Sequence, residues 1–232
     1  MGSDDLFKKK RAARKARKAG FLTPKANSYL IVTEGTKTEP SYFEGLREAI
    51  IRKNGGQIGV RKISDFIDIR GEGCSTERLI EITEQIVKKA NIIYQNVWVV
   101  FDKDDFDDFD QAIKMGEAKG YKVAWSNQSF EYWLYLHFRY SDSALHRDEW
   151  TKKLDEIFKE YGLGDGKYRK NYENIYELVD AYNGVNTAIR NAKRRMKDYE
   201  KKNRKPSGFD PGTTVHELVE ELKNYIEEGK NR

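Results

Sequence analysis

A single cysteine, Cys74, stands in 232 residues. It excludes an internal disulfide framework and a cysteine-built zinc site, and it suits a reducing cytosol. Long apolar runs are missing as well: none approaches the ~20 residues needed to span a bilayer, and no secretory apolar stretch follows Met1. With a mean hydropathy of −0.85 and 35% charged residues, the expectation is a soluble, cytoplasmic protein with no membrane partner. No pair of histidines stands at ligand spacing, so His137 and His216 are read as packing or hydrogen-bonding residues. No internal repeat is visible. "EGTKT" brings glycine, lysine and threonine together, yet it lacks the first glycine and the Gly-Lys adjacency of a phosphate-binding loop.

What is present is bulk and unevenly spread charge. Aromatic residues, at 12%, supply enough volume for a real core in a chain of this length. The net charge of +5 resides largely in an arm: residues 8 to 18, "KKKRAARKARK", hold eight lysines and arginines and no acid. With Asp4 and Asp5 the first 18 residues carry +6, which leaves the remainder at −1. A second basic run, "RNAKRRMKDYEKKNRK", spans Arg190 to Lys205, and "DKDDFDDFD" concentrates six acids between Asp102 and Asp110. Basic stripes bind phosphate backbones by counterion release, although either run taken alone is equally well a solvated face.

The hydrophobic pattern alternates strand and helix. "SYLIVTE" reads as a strand entering a glycine turn, after which Tyr42, Leu46, Ala49 and Ile50 share a helical face and Pro40 sits in the first turn. "DFIDIRG" is a second strand, followed by a helix through Leu79, Ile80, Ile82, Ile86 and Val87. The third, "NVWVVFD", is almost wholly apolar, as expected with both faces covered. "FDQAIKMGEAKG" is a helix closed by Gly120, and "YKVAWSN" a fourth strand leading into "QSFEYWLYLHF". This is the order of an α/β fold with a parallel, Rossmann-like sheet. Beyond Phe138 the strand signal stops. Residues 140 to 170, with Gly162, Gly164 and Gly166, read as a polar insertion or lid. Ile175, Leu178, Val179, Tyr182, Val185 and Ile189 read as one helix carrying the second basic run. A last helix opens with Thr214 and Glu217 spaced as a capping box. The expected division is a basic flexible arm, 1–27, a catalytic core, 28–139, and a helical extension packed on it, 140–232, with a glycine-rich insertion near 160–170.

Acids at the strand ends carry the chemistry. In a common doubly wound order, 2-1-3-4, the first and third strands are neighbours at the switch point where ligands bind. Glu34 ends the first strand and Asp102 the third, and Asp104 shares a face with Asp102 if the strand geometry persists past Phe101. Three carboxylates without a cysteine or histidine partner make a hard oxygen site suited to Mg²⁺ or Mn²⁺, an ion able to activate water and neutralise a phosphodiester. The plainer reading is that such acids cap neighbouring helices or are solvated. In "SNQSFEYW", Asn127 and Ser129 could cap a helix, while Glu131 either points to solvent or stands beside the Asp102 cluster.

A strand-end glutamate before glycine, with Asp-x-Asp after the third strand, resembles the Toprim domain of topoisomerases, primases and overcoming-lysogenization-defect nucleases. Five blocks in order, "LIVTEGTKTEPSYF", "VFDKDDFDDF", "WSNQSFEYWLYLHF", "AIRNAK" and "TTVHELVEEL", resemble the RloB-like family of phage-defence and abortive-infection proteins over Ser28 to Leu222. The resemblance implies a Toprim-like core, a divalent ion, a nucleic-acid substrate and an ATPase encoded alongside. Glu34 would then be a general acid/base or a metal ligand, and Asp102 and Asp104 would hold Mg²⁺. Glu39 would help bind metal, or merely favour its helix N-terminus. Glu131 joins the catalytic candidates. Lys37, Lys103, Arg190, Lys193, Arg194 and Arg195 are the candidate nucleic-acid contacts. No motif singles out a topoisomerase tyrosine among fourteen tyrosines, so strand passage has no support.

The expected function is thus a Mg²⁺-dependent (or Mn²⁺-dependent) nuclease, an antiphage effector acting on RNA, tRNA or DNA, with homo-oligomerisation left open. Two alternatives stand beside it. "VVFDKDD" also resembles the DxD of haloacid-dehalogenase phosphatases, though that motif belongs on a first strand and is followed by Thr or Val rather than Asp105 and Phe106. The other is a non-catalytic subunit that binds nucleic acid or a partner.

Overall fold

The computed structural model describes residues 28–53, 57–58, 61–62, 67–103, 107–202 and 204–229. The expected basic arm and Asp104 lie outside them. Four parallel strands form the main sheet: β1 (Tyr29–Thr33), β4 (Ile67–Gly71), β5 (Asn96–Lys103) and β6 (Lys122–Asn127), in the order β4-β1-β5-β6. This is the order 2-1-3-4 of an open α/β sheet, with β1 and β5 adjacent (Thr33 opposite Val100). A short antiparallel pair, β2 (Gln57–Ile58) and β3 (Arg61–Lys62), precedes β4.

Among the described residues eight α-helices occur in chain order: α1 (Thr38–Lys53), α2 (Thr76–Lys89), α3 (Phe109–Ala118), α4 (Phe130–Tyr135), α5 (Arg147–Tyr161), α6 (Ile175–Asp180), α7 (Gly184–Lys202) and α8 (Val215–Gly229). Side chains alternate across each strand, and the two faces receive different layers. Leu30, Val32, Val97, Val99 and Phe101 meet Leu79 and Ile80 of α2 and Phe109, Ala112 and Ile113 of α3. Tyr29, Ile31, Trp98 and Val100 meet α1 through Tyr42, Phe43, Leu46 and Ile50, in one cluster with Trp133, Trp150, Phe158, Ile175, Val185 and Leu218 of the later helices. Each fully buried side chain of this size contributes about 1.5–3 kcal/mol, which explains why the extension shares the core. Among the described residues no helix is long and apolar enough to cross a membrane.

Three local expectations are corrected. Residues 147–161 are a helix within the stretch read as a polar insertion: Trp150, Leu154, Ile157 and Phe158 form its buried stripe, and His146 caps its start while Glu149 reaches back to the His146 N–H. The single helix expected from Ile175 is two. Asn183 has φ 61°, and Val185 N–H bonds Asp180 Oδ1; a Cβ at Gly184 would lie 1.9 Å from the Val179 carbonyl oxygen, so glycine is required at that close approach. Thr214 does not build a capping box. Its hydroxyl accepts from Trp125 N–H of β6, and Thr213 Oγ1 accepts from Val215 N–H.

Candidate acidic functional site

The site forms at the C-terminal ends of β1 and β5, and strand parity decides which acid enters it. Asp102 continues the face of Trp98 and Val100, toward α1 and α4, while Lys103 continues that of Val99 and Phe101. Where the strand ends, Asp102 N–H donates to Glu34 Oε2 at 3.3 Å, and Glu34 N–H bonds the Val100 carbonyl. The two acids expected to act together are therefore joined through backbone. Phe130 N–H donates to Asp102 Oδ2 at 2.8 Å. Asp102 thus supplies, from 28 residues away, the cap that Ser129 does not make for α4, so the plainer capping reading also holds for this acid. Asn127 caps nothing; its amide donates to the Pro206 and Ser207 carbonyls.

The glycine after Glu34 has a spatial reason. A Cβ at Gly35 would lie 2.2 Å from Glu39 Oε2, because the Glu39 carboxylate folds back over the turn, where the backbone N–H groups of Glu39 and Gly35 bond it. Gly71 is similar: a Cβ would meet the Gly35 carbonyl oxygen at 2.7 Å, so the strand end lets the two loops pack. Glu72 N–H to Thr33 O and Gly73 N–H to Glu34 O fasten them.

Glu131, in the first turn of α4, is buried at 3% exposure. Its Oε1 accepts from Tyr168 O–H at 3.0 Å and pairs with Lys170 Nζ at 3.1 Å. Both partners come from the loop after α5, in the segment read only as a glycine-rich insertion. Thr38 O–H donates to the Lys170 carbonyl and ties that loop to α1. Gly35, Thr36, Lys37, Thr38, Glu39, Asp102, Phe130, Glu131 and Lys170 together line a cavity of about 240 Å³.

The electrostatics are those of crowded like charges. Burial raises the Asp102 carboxyl well above its usual range, and Glu39, Glu131 and Glu34 raise it further, against the Phe130 N–H. Burial also raises Glu39; its backbone hydrogen bonds and Lys170 oppose this while Glu131 adds to it. Burial by itself would lower Lys170, but Glu131, Asp102 and Glu39 hold its ammonium above the ordinary range. The donor chemistry, hard oxygens whose charges oppose one another, is what a divalent cation relieves. Among the described residues, however, no three acid, histidine or cysteine side chains stand in a metal-ligating group. The described side chains alone do not complete a ligand set.

The remaining candidates are spread out. Lys37 is exposed at the cavity. Lys103 lies on the other side of β5, close enough to Asp210 to oppose in part the rise that burial gives that carboxyl. Arg190, Lys193 and Arg194 are exposed on α7, Lys193 paired with Glu220 and Arg194 over the Tyr140 ring. Arg195 is a correction: at 8% exposure its guanidinium donates to the Pro211 and Asp210 carbonyls and covers the Phe209 ring, so it faces inward. His137 and His216 are hydrogen-bonded core residues, as read. Tyr168 and Lys170 were missed because neither lies in a motif; only the tertiary fold brings them to the acids.

Comparison with curated proteins and with solved structures found no match. The family model described as RloB-like protein matches residues 29–222, from the first residue of β1 into α8. The matched span includes every acid and lysine lining the cavity, and the chain belongs to the RloB-like family.

Proposed function

We propose that this chain is a divalent-metal-dependent nuclease of the Toprim type that acts in antiphage defence beside an ATPase partner. The observation that carries the reading is the crowding of Glu34, Glu39, Asp102 and Glu131 at the switch point between β1 and β5, where Asp102 is pushed up by burial first and then by its acidic neighbours. Strongly perturbed acids in a cleft at this place in an α/β sheet are the expected signature of a working site. Family membership supports the same reading.

Asp102 and Glu34, with Asp104 beyond them, would hold Mg²⁺ or Mn²⁺. Such an ion supplies a water of lowered pKa and neutralises charge on a phosphodiester. Glu34, half-buried and oriented by the Asp102 N–H, is placed to accept or return a proton. Glu39 is less suited to a ligand role, since backbone N–H groups already hold its carboxylate. Exposed Lys37, Arg190, Lys193 and Arg194 would contribute phosphate contacts that fix the strand without reading its sequence.

The test is to incubate the protein, with and without the product of the neighbouring ATPase gene, with total RNA and plasmid DNA in Mg²⁺ or Mn²⁺, and to sequence new ends. Defined new ends that disappear with Asp102→Asn support the reading. Intact substrates in every combination overturn it.

A further inference from the structure

We propose that Lys170 anchors a phosphate of the nucleic-acid substrate in the acidic cavity, with Glu131 and Tyr168 as its positioning residues. This rests on the nuclease reading of the same site and adds the group that admits an anion to it.

A cavity lined by Glu39, Asp102 and Glu131 repels a phosphodiester. Among the described residues Lys170 is the lysine in direct contact with one of those acids, its Nζ 3.1 Å from Glu131 Oε1, and it feels the charge of the other two. The two partners differ sharply in exposure: the Glu131 side chain is 4% exposed and that of Lys170 is 64% exposed. The buried acid therefore holds one side of an ammonium that otherwise faces the opening. An ammonium has three donors, and the contact with Glu131 uses one. The others are available to a phosphate oxygen at the cavity mouth.

The holding is built at several points. Tyr168 O–H donates to the same Glu131 oxygen, fixing the carboxylate from behind. Asp155 Oδ1 accepts from Tyr168 N–H, which ties the loop to α5. The Lys170 carbonyl accepts from Thr38 O–H at 2.8 Å, so the lysine backbone is pinned to the start of α1 beside Glu39. A mere counter-ion for Glu131 has no need of an open position, whereas a phosphate anchor requires one.

The experiment measures anisotropy of a labelled single-stranded oligoribonucleotide and its deoxy counterpart on the full chain, in Ca²⁺ and in EDTA. One charge-assisted hydrogen bond corresponds to about 10- to 100-fold in affinity, so Lys170→Met should weaken binding by that factor and Lys170→Arg should restore most of it. Because Lys170→Met leaves Glu131 buried without its cation, Lys170→Met with Glu131→Gln is the control: it removes both charges, should recover the melting temperature, and should still bind weakly. If the single and double variants bind as wild type does, or if wild type binds neither oligonucleotide, the anchor is refuted. A wild-type protein that binds but never cleaves would sink the nuclease reading while leaving the Lys170 comparison decisive.

Discussion

Two clusters of titratable groups lie against α1, and they are built on opposite principles. Beneath the helix, His137 Nδ1 faces the Trp133 carbonyl and must carry the proton, so its Nε2 accepts from Tyr42 O–H at 3.0 Å. Burial pushes His137 down to about 3 and Tyr42 well above its usual range, so both are neutral and each has a partner. At the N-terminal end of the same helix, Glu34, Glu39, Asp102 and Glu131 crowd one another, and among the described residues the ammonium in contact with them is that of Lys170, on Glu131. The first cluster is perturbed by desolvation and relaxed by hydrogen bonds. In the second, burial is again the larger cause, but neighbouring carboxylates add to it and the Phe130 N–H and Lys170 offset it only in part. Perturbation alone therefore does not mark a site; perturbation by neighbours at an opening does.

The largest expected effect sharpens that contrast. Asp102→Asn and Glu34→Gln should each lower nucleic-acid cleavage by about 10²-fold or more, since general acid–base and metal contributions are of that order. His137→Gln, measured per folded molecule, should leave cleavage unchanged. Calorimetric titration with Mn²⁺ separates the acids: Asp102→Asn should weaken the metal more than Glu34→Gln does.

Stability should respond in the reverse sense. His137→Ala leaves a cavity and an unpaired Tyr42 hydroxyl, and should cost about 2–4 kcal/mol in denaturant unfolding. Asp102→Asn keeps an acceptor for Phe130 N–H while removing a repelled charge, and should stabilise the metal-free protein by about 1–2 kcal/mol. A destabilised Asp102→Asn would show that Asp102 serves chiefly as a cap.

The pH dependence of metal-free stability divides the clusters again. His137 has a depressed pKa, so its contribution is full above 6.5 and is lost as pH falls toward about 3, at up to about 1.4 kcal/mol per pH unit. Asp102 and Glu39 are raised, so their contribution is present below the ordinary carboxylate range and is lost as pH rises through their folded values. Chemical denaturation across pH in EDTA should show His137→Gln flattening the acid limb and Asp102→Asn flattening the opposing one.

The smallest effect concerns the arm. Removing residues 1 to 18 should leave Mn²⁺ binding intact and flatten the log–log salt dependence of duplex binding by about 0.9 for each phosphate the arm neutralises. An unchanged slope would identify the arm as a solvated tail.

The sheet was legible because strand and helix periods are local, and apolar runs such as "NVWVVFD" leave few alternatives. The break at Asn183 and the helix at 147–161 were harder to read: Asn183 interrupts an unbroken apolar period, and the Trp150 stripe sits among charges that lower its contrast. Arg195 shows the same limit within one helix. It stands in a basic run beside exposed Arg194, yet a rotation of about 100° along the helix turns it to the Asp210 and Pro211 carbonyls.

By itself the sequence determined the parallel sheet and put Glu34 and Asp102 at strand ends, because the alternation of strand and helix is local. That β1 and β5 are neighbours, so that the two acids meet, is one of the common doubly wound orders and was decided by the fold. Tertiary structure decided the rest of the cluster. Gly35 yields space to Glu39, Phe130 N–H engages Asp102, and a loop more than 30 residues past Glu131 returns with Tyr168 and Lys170. Those contacts depend on how the later helices bury their apolar stripes against α1 and α4, a long-range packing outcome that no local period encodes.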